Sequence, residues 1–455
     1  MGRNSRLDRE SGEPARVYLL KPASHAVART VVSKVLTQSP CATKDFKMPY
    51  AEADIAELLA PSAPRPSTST ALTLESAPSR LRGRRIAIVH EWLETFAGSE
   101  SVLEQLLVCF PDADVFAVVD FMKPEDRRFL KGRTVKTTFI QRLPGAKRMF
   151  RHYLGLMPLA IEQLDMSGYD LIISSSHAVA KGVVTGPDQI HISYVHSPMR
   201  YIWDLQHQYL KQSKLNWGLK ALYVRWLFAK LRQWDVSSAQ HVDHFIANSS
   251  YIARRLKKAY GRRATVIHPP VDVELFSPGT KKDDFFLLAG RLVPYKRADL
   301  IVECFRLQPE RRLIVVGDGP EAERVRAAAR GAKNIEFRGQ VPKASLIELM
   351  QRAQAAVFAA EEDFGIAMVE AQACGTPLIA FGRGGVMDII DPAEPSTPTG
   401  LLFDRQDVGS VLDALARFDG MRSHMTAEAC RANALRFSRS RFRSEICDLV
   451  EDALV

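Results

Sequence analysis

The chain lacks the marks of several protein classes. Its 455 residues hold six cysteines, Cys41, Cys109, Cys304, Cys374, Cys430 and Cys447, scattered and without a CxxC pair. That usage argues against a disulfide framework or a cysteine-based zinc site and points to reduced thiols. No apolar run approaches the ~20 residues needed to span a bilayer. The opening stretch MGRNSRLDRESGEP is polar and carries acids, so no secretory signal is expected. A GxGxxG fingerprint is missing, which removes the usual nicotinamide or flavin signature. No cluster of His and Asp suggests a metal site, and no metal or resident cofactor is expected.

Acid is missing from two stretches of a chain whose net charge is +10. Arg127 to Arg151 contains nine Lys/Arg residues and no Asp or Glu. Lys211 to Arg232 contains six more, mixed with Trp217, Tyr223, Trp226 and Phe228, again without acid. Such blocks form a solvated basic face, a surface for anionic lipid headgroups or a phosphate-bearing acceptor, or a nucleic-acid surface. No nucleic-acid-binding motif accompanies them, so nucleic acid is not expected as a partner.

What is present reads as a soluble α/β chain. A composition of 46% hydrophobic and 25% charged residues is ordinary for a globular protein, and the length implies two domains. Residues 1–82 are read as a disordered extension, because PSAPRPSTSTALTLESAPSR is Pro/Ser/Thr-rich and aperiodic. Order begins at RRIAIVHEW. Strand candidates DVFAVV, YDLIISSS, HISYV, HFIAN and TVIHPP then alternate with helix candidates, among them SESVLEQLLVCF and the segment 214–234. After the polar linker VELFSPGTKKDD a second series follows: FFLLAGR, RLIVVGDG, IEFRG, AAVFAA, PLIAF and GLLF. Two such runs predict two doubly wound α/β domains, with ligands at the carboxyl ends of the strands.

The most informative stretch is EEDFGIAMVEAQACGTPLIAFGRGG. Glu362 and Glu370 stand eight positions apart on either side of a predicted helix start, whose free N–H groups suit an anion. Eight helical residues would span about 12 Å. Glycosidase carboxylates lie only about 5–9.5 Å apart. The pair therefore suits two ends of an extended ligand with an anionic middle. Arg291 and Lys296, in GRLVPYK after the strand FFLLAG, could neutralise a diphosphate leaving group. Gly317, in GDGP after the next strand, allows close backbone approach to a ligand or simply turns the chain. In the first half, Gly98 and Ser99 open a helix after IAIVHEW, as a phosphate or acceptor site or as an ordinary serine cap. His177 ends LIISSSH and His196 follows HISYV, at the tips of neighbouring predicted strands, which makes both active-site candidates.

Together these motifs resemble the retaining glycosyltransferases of family 4 (group 1), over about residues 84–450. The resemblance implies the GT-B fold, two Rossmann-like doubly wound domains facing across a cleft. It places an acceptor-binding domain at 83–272, a nucleotide-sugar-binding domain at 273–438 and a helix packing back on the first domain at 439–455. In the family, the first glutamate of E-x7-E contacts the donor sugar and the second the ribose, which implies Glu362 and Glu370 here. Arg291 and Lys296 would hold the diphosphate, and the backbone of Asp363, Phe364, Gly365 and Ile366 would touch sugar and phosphate. His177 matches the family's active-site histidine. Ser99 stands where a second glycine is common.

SSSHAVAKGVVTGPDQ and YVHSPMRYIWDLQHQYL resemble one branch more closely, the bacterial GDP-mannose-dependent mannosyltransferases of exopolysaccharide and O-antigen assembly. That implies a nucleotide-diphosphate sugar as co-substrate and a polyprenyl-linked saccharide as acceptor. It also implies a cytoplasmic protein peripheral on the inner membrane, held there through its basic N-terminal domain. Other readings are an epimerase or phosphorylase on the same fold, or a non-catalytic nucleotide-sugar-binding subunit.

Overall fold

A computed structural model describes residues 81–454 apart from 214, 216 and 391–397. The extension expected over 1–82 falls outside the described residues except at its end, where Leu81 is already buried in a core cluster.

Two parallel sheets organise the chain. The first holds β1 (Ile86–Leu93), β2 (Asp114–Asp120), β3 (Val135–Thr137), β4 (Leu171–Ser176), β5 (Ile190–Val195), β6 (His244–Ala247) and β7 (Thr265–Val266). Their order is β3-β2-β1-β4-β5-β6-β7. The second holds β8 (Phe286–Ala289), β9 (Leu313–Val316), β10 (Ile335–Gly339), β11 (Ala356–Phe358), β12 (Leu378–Phe381) and β13 (Gly400–Phe403), in the order β10-β9-β8-β11-β12-β13. Each order reverses beside its first strand, between β1 and β4 and between β8 and β11. Those switch points open a crevice at the carboxyl ends of the strands.

The expected alternation of strand and helix is what the described residues adopt, with differences in extent: the helix expected over 214–234 runs Leu219–Ser238, with 214 and 216 outside the described residues, and TVIHPP is a strand only at Thr265–Val266. β1 runs to Leu93, and β3 is an added edge strand too short for a periodic signal. Strand periodicity sets the cores. In β8, Phe286 and Leu288 face one cluster, while Leu287 and Ala289 face the other, so both sides of the sheet are covered.

Five helices position the site. α1 (Gly98–Cys109) follows β1, and α2 (Leu219–Ser238) and α3 (Ser250–Tyr260) flank β6. α4 (Ile366–Ala373) follows β11, and α5 (Arg439–Ala453) ends the described chain. α2 is tied down by a buried ion pair between Asp235 and Lys181, with Trp203 Nε1 and Tyr260 Oη donating to the same carboxylate at 2.7 and 2.9 Å. α5 inserts Phe442, Ile446 and Val450 into the core cluster that contains Val102, Leu103, Leu106 and Leu107 of α1. Arg439 at its start binds Glu104 at 3.3 Å and Asp272 at 3.1 Å.

Candidate functional site

The two switch points line one cleft of about 620 Å³. Loops after β1, β4 and β5 bring Gly98, Ser99, His177 and His196 to it. Loops after β8, β9 and β11 bring Arg291, Lys296, Gly317 and Glu362, followed by Asp363, Phe364, Gly365, Ile366 and Glu370. All thirteen residues selected from the sequence therefore border the same space.

On the second-domain side, Lys296 Nζ lies 3.3 Å from Glu362 Oε1. α4 begins only at Ile366, so half of the interval between the two glutamates is loop and not helix. Glu362 is instead fixed by a β-bridge to Gly384, and Gly385 N–H donates to its carbonyl at 2.8 Å. A Cβ on Gly385 would meet Phe364 Cα at 2.3 Å, so the loop and the GRGG turn pack backbone on backbone. Gly317 is equally constrained. Its φ is +121°, and a Cβ there would come within 2.0 Å of Gly290 O.

Two loop side chains are held by contacts within the protein. The Phe364 ring is buried and stacks on His268, with centroids 5.4 Å apart. The Asp363 carboxylate pairs with Arg255 at 3.3 Å and Arg200 at 3.5 Å, both from the first domain. Ser249 Oγ, at the start of α3, donates to Asp363 O at 2.5 Å. Burial pushes the Glu370 carboxyl up to about 7, with Lys343 opposing and Asp272 adding to the shift.

On the first-domain side, the organising group is Glu91, an acid inside the apolar strand IAIVHEWL and fully buried. Its carboxylate accepts from Ser176 Oγ at 3.0 Å and from the N–H groups of His177, Ala178, Val179 and Ala180 at 3.0, 2.7, 3.0 and 2.9 Å. Burial alone would raise its pKa. The His177 charge and the N–H donors outweigh that and hold the carboxyl below its usual value. The turn carrying His177 is thus wrapped round a buried carboxylate, and the imidazole packs edge-to-face on Trp92 with centroids 4.6 Å apart.

The serine cap, one of the two readings of this helix start, is not formed. Ser99 Oγ donates to Glu100 at 3.0 Å, and the same carboxylate takes Ala97 N–H at 2.9 Å, so Glu100 closes the helix start. Gly98 faces the second domain, where a Cβ would lie 2.9 Å from Ile366 Cδ1. Sequence reading passed over Glu91, Glu100, Arg200 and Arg255. A visible signal existed for Glu91, since an acid in a buried strand must find partners.

Residues 96–275 match Glycosyltransferase Family 4 and residues 273–435 match Glycosyl transferases group 1. Both walls of the cleft are glycosyltransferase domains.

A GDP-mannose-dependent monoacylated alpha-(1-6)-phosphatidylinositol monomannoside mannosyltransferase of Corynebacterium glutamicum is 30% identical over 223 residues, 42% of this chain and 57% of the relative. A D-inositol 3-phosphate glycosyltransferase of Acidothermus cellulolyticus is 30% identical over 254 residues, 48% of this chain and 55% of the relative. The chain thus spans about half the length of the curated relatives it matches. The glycosyltransferase domains share the fold of Anabaena HepE, solved with UDP-glucose, at TM-score 0.58 and 17% identity over 81% of this chain and 99% of HepE. Sucrose-phosphate synthase of Thermosynechococcus elongatus gives 0.60 and 18% over 81% of this chain and 98% of that protein. The architecture is GT-B.

Proposed function

We propose that the protein is a retaining hexosyltransferase that moves mannose from GDP-mannose to a polyprenyl-linked saccharide in bacterial surface polysaccharide assembly. The observation that carries this reading is the grouping of Arg291, Lys296, Glu362 and the α4 start opposite His177 and His196 in one interdomain cleft. The GDP-mannose dependence of the Corynebacterium glutamicum relative favours the donor.

In this reading Arg291, Lys296 and the α4 N–H groups hold the diphosphate and stabilise it as it leaves. Glu370 holds the ribose, Glu362 orients the sugar, and His177 contacts a sugar hydroxyl. The acceptor oxygen attacks the anomeric carbon on the face from which the diphosphate departs. One carbon–oxygen bond breaks as the other forms, and the hydroxyl proton passes to the departing phosphate oxygen. Protein cations supply the positive charge, so the reading calls for no metal.

The lipid end of the acceptor would stay in the cytoplasmic leaflet of the inner membrane. Among the described residues no helix is long and apolar enough to cross a membrane. The outer face of α2 supports peripheral docking. Leu219, Leu222, Tyr223 and Trp226 recur at helical spacing and are all exposed, while Ala221, Val224, Phe228 and Leu231 on the other side are buried. Trp217 just before the helix is 94% exposed, and the exposed cations Lys220, Arg225 and Lys230 share the segment with no acid. An apolar stripe bordered by cations suits an anionic bilayer. Of the other basic block, Arg127, Lys136 and Arg151 are paired with Asp120, Asp114 and Glu94, which leaves less of it for lipid.

A panel of GDP- and UDP-sugars, with and without lipid-linked acceptor, tests the proposal. GDP-mannose should give the fastest acceptor-dependent turnover. Isomerised nucleotide sugar without acceptor would contradict it.

A further inference from the structure

Four buried or cleft-facing groups form a single hydrogen-bonded line across the carboxyl ends of three adjacent strands. Glu100 Oε1 lies 3.3 Å from His90 Nε2, His90 Nδ1 lies 3.1 Å from Ser175 Oγ, and Ser175 Oγ lies 2.9 Å from His196 Nε2. His90 on β1 and Ser175 on β4 are paired directly in the sheet register, so their side chains share one face. Glu100, His90 and Ser175 are almost completely buried, and His196 borders the cleft. The glycosyl-transfer scheme above leaves Glu100, His90 and Ser175 without a role.

The direction of every proton in this line follows from its buried end. Ala97 N–H and Ser99 Oγ–H donate to Glu100 Oε2, and His90 Nε2 faces its other oxygen, Oε1. A carboxylate only accepts, so His90 carries its proton on Nε2. With His90 a neutral imidazole, its Nδ1 is a bare acceptor and takes the Ser175 hydroxyl proton. Ser175 has one proton to give, so it accepts from His196 Nε2–H. His196 Nδ1 is left with a lone pair and no proton. Burial holds the His196 pKa well below its usual value and keeps the ring neutral. Its main chain is pinned as well, by Asn248 Nδ2 donating to its carbonyl at 2.9 Å.

We propose that His196 Nδ1 is a fixed hydrogen-bond acceptor for a hydroxyl of the acceptor sugar, and that Glu100, His90 and Ser175 are positioning residues that set its tautomer. The proposal rests on the glycosyl-transfer reading for the identity of the ligand, but the wiring stands on geometry alone. It also ties the start of α1, with Gly98 and Ser99, to the same histidine through Glu100.

The test is the ring-nitrogen NMR of the full chain labelled with 15N-histidine, because a merely structural role would not set a tautomer. Wild-type His196 should be the Nε2–H form. Glu100→Gln should invert it to Nδ1–H. There the amide oxygen stays with Ala97 and Ser99, and the amide NH₂ donates to His90. If Glu100→Gln fails to fold, Ser175→Ala cuts the line at its middle and should leave a mixture of tautomers. In kinetics, Glu100→Gln should raise the acceptor KM about ten- to a hundredfold, with less effect on the donor KM. Ser175→Thr, which keeps the hydroxyl, should recover most of the loss seen with Ser175→Ala. A wild-type Nδ1–H tautomer, or no change in Glu100→Gln, would overturn the wiring. An inverted tautomer with unchanged acceptor KM would overturn the role in recognition. Absence of any glycosyl transfer would overturn the reaction and the recognition role together, while the tautomer would still decide the wiring.

Discussion

Lys296 Nζ lies 3.3 Å from Glu362 Oε1 across the second-domain face of the cleft. The cation proposed for the diphosphate is thus paired with the acid proposed for the sugar. A bound donor would sit against both groups. Lys296→Ala should lower kcat about 10²- to 10³-fold, the scale for removing one donor from a developing charge. Glu362→Ala should also lower kcat, and the double variant should lose less than the product of the two, because neighbouring groups act as a unit. Steady-state kinetics on the three variants check this.

Glu91 should matter for stability as well as for activity. Glu91→Ala strips four N–H groups and one hydroxyl of their acceptor and should cost about 3 kcal/mol in urea unfolding. The carboxyl is held below its usual pKa in the folded protein. Its contribution is therefore present above the ordinary carboxyl range and fades as pH falls through the lower folded value. The stability gap between wild type and Glu91→Ala should narrow on acidification.

Asp363 should act as a latch between domains. Its carboxylate meets Arg255 and Arg200 at 3.3 and 3.5 Å. Asp363→Ala should raise the donor KM and increase the radius of gyration in X-ray scattering. A double-mutant cycle with Arg255→Ala should show an interaction energy of about 1–2 kcal/mol. Unchanged scattering and an additive cycle would remove the latch.

The outer stripe of α2 should govern membrane attachment. Replacing both Trp217 and Trp226 by Ala should weaken binding to anionic vesicles about tenfold or more, measured by flotation, without altering the melting temperature. High salt should weaken the wild type further by screening Lys220, Arg225 and Lys230. Equal flotation of variant and wild type would place the contact elsewhere.

The fold was largely legible because its signals are local. Apolar runs such as LIISSS and FFLLAG announce buried strands wherever the rest of the chain goes. The grouping of Glu362, Arg291, Lys296, His177 and His196 was legible too, since each follows a strand and doubly wound sheets gather their strand ends. What stayed hidden depends on partners far apart in sequence. Glu91 is 85 positions from Ser176, and Arg255 is 108 from Asp363. The line from Glu100 to His196 exists only because β1, β4 and β5 lie side by side. Ser99 resembled a helix cap, but the longer Glu100 side chain reached the free N–H group first. α2 read as aromatic and basic, yet only its packing showed which face was left outside.

The central claim is retaining transfer of mannose, and the anomeric configuration of the product tests it most directly. The full chain would be incubated with GDP-mannose and a polyprenyl-linked saccharide, and the new linkage read by NMR. The account predicts an α-mannosyl product, the configuration of the donor. A β-linked product would contradict it.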